Sequence, residues 1–88
     1  MTDARGAHSD AVDAAIHAVG EVEEMLSATT DRTDSLMGAV IHATGSNPWV
    51  ESAQNAMNFT AEIKNRIEEI YRIAEGVKAE LERYKGGF

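Results

Sequence analysis

The chain has no cysteine, so a disulfide framework and a thiolate metal site are both excluded, and the compartment stays open. Basic residues are scarce: 8 Lys and Arg stand against 15 Asp and Glu, a net charge of −7. That balance argues against a nucleic-acid groove or an anionic membrane surface as partner. No apolar run approaches the length of a membrane span. Met1-Thr2-Asp3-Ala4-Arg5 lacks the features that open a cleavable signal peptide. Export, if it occurs, is therefore expected to use a route that takes mature chains. The 88 residues allow one small domain, 1–88, without low-complexity runs or repeats beyond heptads.

Proline occurs once, and its setting divides the chain. Thr44-Gly45-Ser46-Asn47-Pro48-Trp49 stops one long helical pattern and starts another. Gly45 follows the last periodic apolar positions, where a helix often ends in the left-handed conformation. Pro48 suits the first position of a helix, and Asn47 before it is placed to cap that helix with its side chain. So short a connection makes the two helices antiparallel neighbours.

On the first arm Val12, Ala15, Val19, Val22, Leu26, Thr29, Thr33, Leu36, Val40 and Ala43 alternate by three and four. The second arm repeats this with Trp49, Ala53, Ala56, Thr60, Ile63, Ile67, Ile70, Ala74, Val77, Leu81 and Tyr84. Both are heptad seams. The fold expected is all-α, an antiparallel two-helix hairpin with coiled-coil-like helices at about 9–43 and 48–85. Ser9 or Asp10 is expected to cap the first helix, after a loose tail over 1–8, and 86–88 form a C-terminal tail. The Thr29–Thr33 stretch lacks strong helix formers, but it holds no Gly or Pro, so continuity is favoured over a kink. Folding at the turn pairs Leu26 with Ile67 and Val12 with Leu81.

One seam between two helices buries little, and chains this small usually need a staple or a partner. More apolar residues flank the seam: Ile16, Met25, Met37 and Ile41, then Val50, Met57, Phe59, Tyr71 and Ile73. A wide amphipathic stripe absorbs part of that set. The rest implies a second contact face, satisfied by a four-helix bundle or a larger assembly.

Residues for chemistry are sparse. His17 and His42 fall at outward heptad positions and His8 lies near the start, so the histidines do not converge. Asp13, His17 and Glu21 share a helical face, a pattern more often solvated charge than metal ligation. No inward Glu-x-x-His pair, nucleophilic triad or phosphate-cradling loop occurs. No catalytic, cofactor or metal residues are therefore assigned, and an enzyme is not expected.

With Trp49 in the turn between two long helices, no cysteine and an acidic charge, the chain resembles the small WXG-type substrates of type VII secretion systems. In that family the hairpins dimerise and are exported folded. They carry Trp-x-Gly in the turn and Tyr-x-x-x-Asp/Glu towards the end of the second helix. Here Trp49-Val50-Glu51 lacks the glycine, and Tyr71-Arg72-Ile73-Ala74-Glu75 fits the second motif in letters but lies nearer the turn. The resemblance implies that Trp49 anchors the turn against a partner and that Tyr71 and Glu75 form an export contact. It also implies a cytoplasmic location before export.

Three roles follow: a dimeric hairpin of this kind, a structural subunit of a particle such as a virion or phage tail, or a small helical adaptor presenting Phe59, Ile63, Ile70 and Ile73 as helix-in-groove anchors. All take protein partners and none needs a cofactor. The turn and interface residues expected are Asn47, Pro48, Trp49, Met57, Phe59 and Ile73.

Overall fold

The computed structural model describes residues 4–87, with side chains described for 9–87. It holds two helices, α1 (Ala4–Thr44) and α2 (Glu51–Gly86), packed side by side as an antiparallel hairpin. The result is a rod of 69 × 18 × 12 Å. α1 starts at Ala4, well before the expected boundary, and Ser9 and Asp10 lie inside it rather than capping it. Ala4, Arg5 and Ala7 are good helix formers, enough to carry the helix through Gly6. The tail expected over 1–8 is thus helical from Ala4, while Met1–Asp3 and Phe88 lie outside the described residues.

The reversal falls where expected, but its internal workings differ. The Asn47 N–H donates to the Thr44 carbonyl at 3.1 Å, and the Val50 N–H to the Asn47 carbonyl at 3.2 Å. Asn47–Val50 is therefore a β-turn with Pro48 in its second position, where a fixed φ serves as well as it would in a first helical turn. Asn47 acts through its backbone, and its side chain caps nothing. Val50 (φ −67°, ψ 139°) takes the capping position of α2 and brings no side-chain hydrogen bond. Among the described residues no glycine has positive φ, so Gly45 is not a left-handed cap. A Cβ there would lie 3.2 Å from the Ile41 carbonyl oxygen, and that close approach is what favours glycine.

The arms touch through a face rotated from the expected seam. One expected row stays at the contact: Val12, Val19, Thr33, Ala53, Thr60 and Ile67 are buried, with Leu26, Val40, Ala74 and Leu81 half-buried. The second row differs. Ile16, Glu23, Thr30, Met37 and Thr44 on α1, with Met57, Lys64 and Lys78 on α2, are half-buried, as are Ala15 and Ala56 of the expected row. The expected Val22, Leu36, Ile63, Ile70 and Val77 remain 41–48% exposed. The apolar stripe is wider than one helix contact needs, and Lys and Glu cover part of it with their methylene stems.

α1 runs unbroken through Thr29–Thr33. The buried Thr33 hydroxyl donates to the Thr29 carbonyl at 2.8 Å, and that of Thr60 to the Met57 carbonyl at 2.7 Å. Thr29 and Thr30 bond their own helix in the same way. Such back-bonds satisfy the hydroxyl without tying the arms together. The double variant Thr33→Val, Thr60→Val is accordingly expected to gain about 1 kcal/mol, or roughly 5 °C in the melting midpoint of a domain this size. A thermal melt followed by circular dichroism reads it, and a lower midpoint would show that these hydroxyls hold the arms together.

Candidate interaction face

The rotation of the contact separates two long flanks of the rod. Each residue turns an α-helix by about 100°, and running two helices antiparallel reverses the sense of one relative to the other. Equivalent rows therefore emerge on the same flank of the hairpin. On one flank lie the cross-arm polar contacts. Lys64 Nζ meets Asp34 Oδ1 at 3.0 Å, and Lys85 Nζ meets Asp13 Oδ1 at 2.5 Å. These pairs stand three heptads apart on both arms, so the register holds over that length. All four side chains are 40–52% exposed, and such pairs fix register more than they add stability.

Tyr71 and Glu75 belong to this polar flank. Tyr71 and Glu75 of α2 face Glu23 of α1, close enough for the three groups to shift one another's titration. The bond from Glu75, and then that from Tyr71, hold Glu23 below the usual carboxylate range. Glu75 is pushed up, first by its hydrogen bond to Glu23 and then by the Glu23 charge. Tyr71 is raised by its bond to that same carboxylate. A lowered Glu23 adds stability above its unfolded pKa that is lost as pH falls through its folded value. A raised Glu75 adds stability below its unfolded pKa that is lost as pH rises through its folded value. At neutral pH the ionised Glu75 therefore works against the fold. Glu75→Gln keeps a hydrogen-bond donor for Glu23 and is expected to raise the melting midpoint at neutral pH. The gain should vanish below the carboxylate range, where the natural side chain is itself protonated. A gain that persists in acid would remove the shared proton from the account.

The opposite flank is apolar. Val22 and Leu36 of α1, with Ile63, Ile70, Val77 and Tyr84 of α2, border the contact at 41–49% exposure. Farther out stand Met25, Phe59 and Ile73 at 60–69%. Ile63, Ile70, Val77 and Tyr84 recur every seven residues, the spacing a further helix reads as a seam. The interface residues expected from the sequence are thus divided. Phe59 and Ile73 lie on this open face. Met57 instead turns towards the contact, in a shallow recess with Ile41, Thr44, Pro48 and Ala53. Trp49 is 70% exposed at the tip, beside the exposed Asn47 and Pro48. Ile63 and Ile70, which the heptad count placed in the seam but which also serve as anchors in the adaptor reading, lie on this face; Val77 is the residue missed, and the surplus of apolar rows was the signal for it.

His17 Nε2 lies 3.2 Å from Glu21 Oε1 on an exposed helix surface. Among the described residues no cluster of three His, Asp or Glu is arranged to hold a metal. Among the same residues no helix is long and apolar enough to cross a membrane. Compared with protein families, curated proteins and solved structures, the chain matches none.

Proposed function

We propose that the chain is a non-enzymatic helical-hairpin interaction protein whose open flank takes a further helical protein, in the manner of the WXG-type substrates of type VII secretion. The exposed row of Phe59, Ile63, Ile70, Ile73, Val77 and Tyr84 carries this reading. An apolar strip this long, at heptad spacing, is costly to leave in water and fits a helix in the groove beside it. Two long antiparallel helices and an exposed Trp49 in the turn support the secretion assignment. Tyr71 supports it less, because it faces Glu23 of the other arm on the polar flank. Recognition of a folded helical assembly is the mechanism, with no bond made or broken.

A second reading is a subunit of a multi-copy particle. The exposed tip at Trp49 and Val50 favours it, since it offers apolar contact away from the long flank. Light scattering at micromolar concentration separates the possibilities. A defined dimer supports the first reading, and large rings or aggregates support the second. A stable, fully helical monomer of 9.5 kDa would remove the need for a partner altogether.

A further inference from the structure

The polar flank carries one cross-arm station unlike the others. Asp34 and Asp13 of α1 each meet a lysine of α2, Lys64 and Lys85. Glu23 lies midway between those two acids along α1, and Glu75 midway between those two lysines along α2. The register that the outer pairs fix therefore sets Glu23 level with Glu75, acid against acid. Glu23 is half-buried at the contact. Tyr71 and Lys78 of α2 also face it, and Lys78 and Glu82 lie near Glu75. One ammonium among three carboxylates leaves the station negative at neutral pH.

Both arms are also softest at this height. Gly20 of α1 lies within one turn of Glu23, and Gly76 of α2 adjoins Glu75. A Cβ at either would meet no atom within 4 Å, so packing does not demand glycine there. Glycine instead makes a helix that yields more readily than one built with alanine. Gly38 is as open, but Thr60 stands level with it on α2. The buried residues of α2, Ala53, Thr60 and Ile67, all lie on the turn side of the station. Beyond it, among the described residues, Val12 and Val19 of α1 alone are buried.

We propose that the rod carries a hinge at the height of Gly20 and Gly76, gated by the charge on Glu23 and Glu75. With one proton taken from solvent, the two carboxyl groups share it and the arms close to their free ends. With both ionised they repel, and the limbs 9–19 and 77–87 spend more time apart, uncovering Val12 and Val19. Glu75 is held above the ordinary carboxylate range by Glu23, so the change falls in mildly acid solution while most other acids stay ionised. The hinge acts within one chain and does not depend on what covers the open flank.

The test uses the full chain, whose lack of cysteine allows paired spin labels at chosen sites. Ala14→Cys with Arg83→Cys reports the free ends; the Arg83 ion pair is with Glu80 of its own helix. Ala39→Cys with Asn58→Cys reports the turn end. All four sites are exposed, and each pair sits nearly level across the arms. Dilution with unlabelled chain removes distances between copies. From about pH 5 to about pH 7 the free-end distance should lengthen by about 5 Å, half a helix diameter, and its spread should widen. The turn-end distance should not move. Glu75→Gln should hold the short distance at both pH values. Gly20→Ala with Gly76→Ala should cut the lengthening at least about twofold.

A free-end distance that ignores pH overturns the gate. A shift that Glu75→Gln leaves intact takes the charge away from this pair. Joint movement of both label pairs is melting of the whole hairpin and ends the hinge. A lengthening that the two alanines do not reduce takes the bend away from the glycines.

Discussion

Ile67→Asp is expected to unfold the chain. Ile67 is 7% exposed, the most buried large aliphatic side chain of α2, and it shares a small cavity with Leu26, Thr30 and Tyr71. Losing its apolar burial costs about 2–3 kcal/mol. An unpaired carboxylate in the same place costs several more, or must take up a proton to stay there. The cations near it are already engaged, Lys64 by Asp34 and Arg66 by Glu62 and Glu69, and Glu68 and Glu69 add negative charge next along the helix. A single hairpin contact has little stability to lose, and a domain of this size has about 5 kcal/mol in all. The helical signal at 222 nm should therefore collapse at room temperature. Ile67→Val, which removes one methylene group, should cost only about 1 kcal/mol and stay folded. If Ile67→Asp keeps full helicity, the inner contact is not what holds the arms together.

Ile73→Asp is expected to do the opposite: to leave the helices and abolish association. Ile73 is 60% exposed on the open flank, so within one copy an aspartate there remains in water. Across an interface the same charge is desolvated among Phe59, Ile70 and Val77. Loss of the apolar anchor should cost at least about 2 kcal/mol of association, a weakening of roughly thirtyfold. The mass in light scattering should fall to that of one chain while circular dichroism stays the same. A variant silent in both measurements would place the partner elsewhere on the rod. Ile67 and Ile73 are six residues apart on one helix, yet the expected outcomes are opposite, and the pair together maps the inner and outer faces.

The hairpin was legible because its punctuation is local. Gly45, Pro48 and the two long heptad runs act on their own neighbours, and no distant contact was needed to read them. The details of the turn were less legible, since Pro48 satisfies a β-turn and a helix start equally well. The rotation of the contact escaped for a different reason. Counting apolar residues favours Val22 over Glu23 and Ile63 over Lys64, and the count is correct about which residues avoid water. It says nothing about which of two adjacent apolar rows meets the other arm. That goes with the cross-arm contacts Asp34–Lys64 and Asp13–Lys85, formed between residues far apart in sequence. Tyr71 and Glu75 were legible as letters, but their engagement with Glu23 was not.

The start of α2 has a consequence of its own. At the position where Ser, Asp or Asn would supply a hydrogen-bond acceptor, the chain places Val50, directly after Trp49. A polar residue in that slot stabilises a helix by about 0.5–2 kcal/mol, a large gain for so slender a molecule. The bend forgoes that anchorage and shows bulk water an indole and an isopropyl group instead. That grease at the point of the needle adds little to the fold of a single chain.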